Sequence, residues 1–206
     1  MPRPREFDEE EVLDAAVDAF WARGYGATSL MDLLSATGLS KGSLYKAYHD
    51  KHDLFLRCLD RYLEAGRRAQ TEALAGAPSA LEGLRSWLRL ASGVDRRAAP
   101  PSRPRRSALN GVRGCFAVNS IVELGPHDPE VQARLTRHAC AQQDVIAATL
   151  RRGKASGEIR PDLDVQDGAA YVLTLLHGLQ VTVKNGVGKE CLGRSIDIGL
   201  AALRHG

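Results

Sequence analysis

The sequence predicts an all-α chain: a three-helix head of the helix-turn-helix kind, joined by a long fourth helix to a helical body. Three observations predict it. Apolar residues recur at helical spacing in segment after segment, capping residues and glycines mark the segment ends, and no segment has a convincing strand alternation. There is also no internal repeat and no heptad array.

The first helix places Val12, Ala15, Ala16, Ala19 and Phe20 on one face. The acidic run from Asp8 to Glu11 sits at its favourable N-terminal end, and Gly24 follows its last turn. Thr28 is the expected N-cap of a second helix that turns Leu30, Leu33 and Leu34 inward and closes at Gly38. Ser40 then caps a very short third helix with Leu44 buried. Asp50, with Asp53 three residues on, imitates a capping box and starts the fourth. Its inner stripe is Leu54, Phe55, Cys58, Leu59, Tyr62 and Leu63. The expected division is a head over residues 1–50 and a body over 51–206.

In the body, residues 80–91 carry Leu81, Leu84, Trp87, Leu88 and Ala91 at helical spacing. Residues 96–113 hold six Arg, three Pro and no acid, the composition of a loop or solvated strap. Helical signal returns over 115–124, stops at Gly125-Pro126, and restarts at Asp128 with Pro129 at the first helical position. That long helix runs to about Ala155 and ends at Gly157. Asp164 begins the penultimate helix, and Glu190 to Arg204 forms the last.

Composition bounds the function. At 206 residues and 44% apolar content the chain can bury a real core, but a net charge of +3 does not by itself announce a nucleic-acid partner. Residues 1–63 carry eight Lys/Arg and eleven Asp/Glu, a balance of −3, whereas residues 38–52 carry three Lys and one Asp, a local +2. Any affinity for DNA therefore comes from where the positive groups stand. The N-terminal residues have no apolar stretch of a secretion signal, and the run 169–183 is too short for a membrane span and contains His177 and Gln180. Four widely spaced cysteines fit free thiols in a reducing compartment, so a cytoplasmic protein without a membrane partner is expected.

Thr37-Gly38-Leu39 has the length of a helix-turn-helix bend. The second helix of such a unit enters the major groove of double-stranded DNA, here with Ser40, Lys41, Gly42, Ser43, Tyr45 and Lys46 on its surface. Small residues at 42 and 43 let backbone approach the duplex. Lys41 suits a phosphate or a guanine edge, and Tyr45 offers a hydroxyl and a ring. Thr28 and Lys51 are placed for phosphate contacts, Tyr48 is read as a packing residue whose hydroxyl meets phosphate, and Arg3 and Arg5 offer a basic arm.

The run T-S-L-x-D-L-L-x-x-T-G-L-S-K-G-S-L-Y-x-x-Y-x-x-K, preceded by F-W-A-R-G-Y-G-A, resembles the DNA-binding head of TetR-type transcriptional regulators. The resemblance covers residues 8 to about 60 closely. It extends more loosely to G-E-I-R-P-D-L-D before the penultimate helix and to residues 114–119 at the start of the sixth. Tyr48 stands where Phe is commoner, and Asp53 where Glu is usual. The resemblance implies a homodimer paired through the last two helices, a palindromic operator, and repression relieved by a small-molecule effector. The apolar faces of those helices, with Gly178 and Gly199, suit such pairing, or equally the covering of the monomer's own core.

The candidate effector residues are Trp87, Cys115, Phe116, Asn119, Glu123, His138, Tyr171, Leu175 and His177, with Leu88, Ser120 and Gln142 beside them. Cys115 follows an arginine-rich stretch and opens a helix, two features that lower a thiol pKa, so direct sensing of an oxidant or electrophile is an alternative. No catalytic constellation, cofactor motif or short-spaced metal-ligand set is present, so an enzyme is not expected. A helical enzyme or carrier with an unused head is the alternative from another class.

Overall fold

A computed structural model describes residues 8–95 and 113–205. Among these residues there are nine α-helices and no strand: α1 (Glu9–Arg23), α2 (Leu30–Thr37), α3 (Lys41–Ala47), α4 (Lys51–Ala75), α5 (Ala80–Ala91), α6 (Phe116–Glu123), α7 (Pro129–Ala155), α8 (Val165–Thr182) and α9 (Lys189–Ala201). The expected basic arm at Arg3 and Arg5 and the arginine-rich strap before Arg113 lie outside the described residues.

Local chemistry sets the helix starts. Asp8, Ser40, Asp50, Ser79, Asp128 and Asp164 each accept a backbone N–H from the first turn they precede. One cap differs from expectation. Ser29, not Thr28, caps α2, and it does so in a full capping box with Asp32.

Two apolar clusters share α4, whose 25 residues span about 37 Å. The first joins Val12, Ala16 and Phe20 of α1, Leu33 of α2, Leu44 of α3 and the early α4 stripe to Phe116 of α6 and to Val131 and Leu135 of α7. The second gathers Leu74, Leu84, Trp87, Leu88, Ile146, Leu150, Val172, Leu176 and Ile196. The head's core therefore does not end with the head's own helices. Two helices of the body complete it.

The G-E-I-R-P-D-L-D phrase explains itself in packing. Gly157 takes the left-handed turn after α7. Glu158 then reaches α5, 78 residues away in sequence, and accepts the N–H groups of Ala80 at 2.8 Å and Leu81 at 3.0 Å. Ile159 is buried in the body core, the backbone on either side of it bonds to Leu203 and His205, and Asp164 caps α8. Burial pushes the Glu158 carboxyl up. Hydrogen bonds from Ser79 and from the backbone of Leu81 and Ala80 pull it further down, below its ordinary value near 4.5.

A carboxyl whose folded pKa lies below the unfolded one stabilises above the unfolded value, and that stability is lost as pH falls through the folded one. Asp128 and Asp164 are shifted the same way. The melting temperature should thus fall as the pH drops below about 4.5. Glu158→Gln should flatten part of that fall and cost about 1 kcal/mol at neutral pH. An acid limb identical to that of the parent protein would refute the cap's role.

Candidate nucleic-acid interface

Helix α3 has only seven residues and is held from behind. Short helices are marginal on their own, so tertiary packing decides whether this one forms. Leu44 and Tyr48 are both fully enclosed in the head's core, one turn apart on the inner side. Gly38, at φ 70°, ends α2 in the left-handed conformation, donating its N–H to Leu34 at 2.9 Å. Thr37 bonds back to the Leu33 carbonyl, and the Ser40 hydroxyl accepts from Ser43 N–H at 3.1 Å. The bend and the start of α3 are thereby fixed by the sequence T-G-L-S itself.

What remains on the outer side is Ser40, Lys41, Gly42, Tyr45 and Lys46, all exposed, with Ser43 at the margin. Among the described residues, neither Lys41 nor Lys46 has a carboxylate within ion-pair distance. Five acids of the head and of early α4 are occupied elsewhere: Asp14 with Arg61, Asp18 with Arg113, Asp32 with Arg23, Asp53 with Arg57 and Asp60 with Arg134. A head that is acidic in sum therefore presents a face that carries positive charge. An added Cβ at Gly42 would meet nothing closer than the Ser40 hydroxyl at 4.0 Å, so the monomer's packing does not require glycine there.

Two expected contact residues stand differently. Thr28 is fully buried, and its hydroxyl donates to the Gly24 carbonyl at 2.6 Å. It pins the turn between α1 and α2, and its side chain has no surface left for a phosphate. Tyr48 is enclosed from ring to hydroxyl, with Arg57 lying 5.5 Å over the ring. The larger Tyr in place of Phe is absorbed by the core. Lys51 is half-buried and rests 4.4 Å from the Tyr25 ring centroid.

The body grips this head at several points. The Glu123 carboxylate, at the end of α6, accepts the backbone N–H groups of Tyr25 (2.9 Å) and Gly26 (2.7 Å) in the α1–α2 turn. Gly24 stands beside it at φ 84°, a conformation that favours glycine, and a Cβ there would also press on the Glu123 carboxylate at 2.7 Å. Asp128 pairs with His52 at 2.6 Å, and burial, which raises its pKa, is outweighed by the Val131 N–H and His52. Arg113 pairs with Asp18 at 2.7 Å. Phe116 stacks edge-to-face on Phe55 and Tyr62, with centroids 5.6 and 5.5 Å apart.

The expected effector residues do not converge. Trp87 and Leu88 are buried in the body core, and Phe116 belongs to the head's core. Tyr171 is 40% exposed and donates to the Gly199 carbonyl at 3.2 Å; Leu175 also packs against Gly199, where a Cβ would stand 2.6 Å from it. Gly199 therefore serves contact between α8 and α9 within the monomer, whereas Gly178 faces open space. His138 and His177 do come together; burial first, and for His138 the charge of His177, lowers their pKa values.

Cys115 reverses its expectation. Its thiol is buried beside the Tyr62 hydroxyl at 3.5 Å, and burial raises its pKa despite the bonds that favour the thiolate. The arginine-rich stretch before it and its place at a helix start suggest the opposite.

Only Asn119 and Glu123 of that set line an open cleft of about 510 Å³ between α1, α6 and the end of α8. Nothing in the sequence marks it, because Trp21 and Arg23, then Arg113, then Val181 and Lys184 come from three separate segments.

Comparison with known proteins adds three findings. Residues 12–58 match the family model described as bacterial regulatory proteins, tetR family, and residues 103–186 match the tetracyclin repressor-like C-terminal domain. The chain is 32% identical over 204 residues to the uncharacterized HTH-type transcriptional regulator YezE of Bacillus subtilis, covering 98% of this chain and 100% of that one. It is 28% identical to the HTH-type transcriptional repressor ComR of Escherichia coli, covering 92% and 86%. Among solved structures, a cysteine-substituted form of the TetR family transcriptional regulator CifR, complexed with 26bp double-strand operator DNA, is 32% identical with a TM-score of 0.79 and covers 98% and 99%.

Proposed function

The chain belongs to the TetR family of bacterial regulators, and from that premise we propose that it is a homodimeric repressor of transcription. It binds a palindromic operator and is released by a small-molecule effector. The observation that carries this reading is the outer face of α3: Lys41, Gly42, Tyr45 and Lys46 exposed with no ion pair among the described residues, on a back fixed by Leu44 and Tyr48. Ser40, Lys41, Ser43, Tyr45 and Lys46 are the residues we assign to the duplex, with Lys51 beside them. Thr28 and Tyr48 position that set from inside. CifR, with its operator DNA, supports the assignment by similarity.

The functional division follows. The head comprises residues up to about 50 together with the early turns of α4 that close its core, and the remainder is the regulatory body. Pairing through α8 and α9 is supported by Ile198, 74% exposed, and by the open side of Gly178. A two-fold pair would set recognition helices about 34–36 Å apart, or somewhat more.

No helix among the described residues is long and apolar enough to cross a membrane, and a cytoplasmic location is part of the proposal. The relatives are named as transcriptional regulators, which supports a non-enzymatic role.

The test is a nuclease footprint of the pure protein on the DNA upstream of its own coding sequence. A protected inverted repeat, with half-sites about one helical turn or more apart, is expected. Absence of any protected palindrome at low salt would refute the reading.

A further inference from the structure

The cleft between head and body has a composition that points to a ligand class. Its apolar wall is Trp21 of α1, Val122 of α6 and Val181 of α8. Arg23, Arg113 and Lys184 line it too, against one carboxylate, Glu123. That carboxylate is already spent on two backbone N–H groups. Arg23 is paired with Asp32 and Arg113 with Asp18, but among the described residues Lys184 bonds only a neutral partner, the Asn119 amide oxygen at 2.9 Å. An open apolar wall with a cation beside it accepts a molecule that is greasy at one end and negative at the other. A volume of about 510 Å³ suits a small organic ligand.

We propose that this cleft binds a small amphiphilic carboxylate, its anionic head on Lys184 and Arg113 and its chain against Trp21, Val122 and Val181. The inference rests on the effector-responsive reading above and names the effector's class and place. It also gives the coupling. A carboxylate on Lys184 draws that side chain from Asn119 and sets a second negative charge near Glu123. Like charges repel, so the hold of Glu123 on the Tyr25 and Gly26 N–H groups weakens. The α1–α2 turn, and with it the helix-turn-helix, is then freer to leave its operator-competent position. A ligand that favours the loosened arrangement lowers operator affinity by the same factor by which operator DNA lowers the ligand's.

The full-length protein is titrated with hexanoate, decanoate and phenylacetate, and with phenylacetamide as the uncharged control, by following tryptophan fluorescence. Trp21 lines the cleft, and Trp87, buried in the body core, supplies a constant background. A saturable change with at least one carboxylate, absent with the amide and absent in Trp21→Phe, is expected. Lys184→Gln, checked for parental helicity and melting, should weaken that response at least tenfold. No saturable response to any of the three acids, or equal responses to acid and amide, overturns the site. Binding that leaves operator affinity unchanged overturns the coupling. If no operator is found at all, the regulator reading fails, while the titration still decides the cleft.

Discussion

Replacing Lys41 and Lys46 together by alanine should weaken operator binding roughly 10- to 100-fold at moderate salt. It should also reduce the slope of log affinity against log salt by about 2. The reason is placement. Each lysine stands exposed on α3 without a carboxylate at ion-pair distance among the described residues, so each has a full charge to spend on the duplex. Stability should move by less than about 0.5 kcal/mol, because neither side chain is part of the core. Fluorescence anisotropy at several salt concentrations measures both quantities. A double variant with the parental salt slope would remove α3 from the interface.

Phe116→Ala should cost about 3–5 kcal/mol of stability. Its ring is 2% exposed and sits edge-to-face on Phe55 and Tyr62, at the place where α6 enters the head's core. Truncation would leave a cavity shared by head and body, and aromatic pairs contribute beyond the area they bury. Phe116→Leu keeps most of the volume and should cost under half as much. Denaturant unfolding of the three proteins measures the series. A loss under about 1 kcal/mol for the alanine variant would show that α6 does not hold the head.

Much of the molecule was legible in the chain. Helices α1 to α5 were expected where they stand, and so were the bend at Gly38, the cap at Ser40, the inward Leu44 and the restart at Asp128-Pro129. The α4 stripe from Leu54 to Leu63 faces inward, as its spacing predicts. The site was legible in part. The exposed lysines and Tyr45 follow from the sequence, whereas Thr28 misleads because it is a good capping residue one position before the true cap, Ser29. The neighbours of Cys115 in sequence suggest an activated thiol as an alternative sensor, yet its neighbours in space bury it.

By itself the sequence determined the helices, their ends, the turn of the head and the surface chemistry of α3. Those are set by interactions between residues one to four apart, which periodicity and caps record directly. Only the tertiary structure decided that Glu123 holds a turn 98 residues earlier, that Phe116 belongs to the head, and that a cleft opens beside them. Such contacts depend on how helices cross, and a side chain's own segment carries no mark of the partner that packing will bring to it.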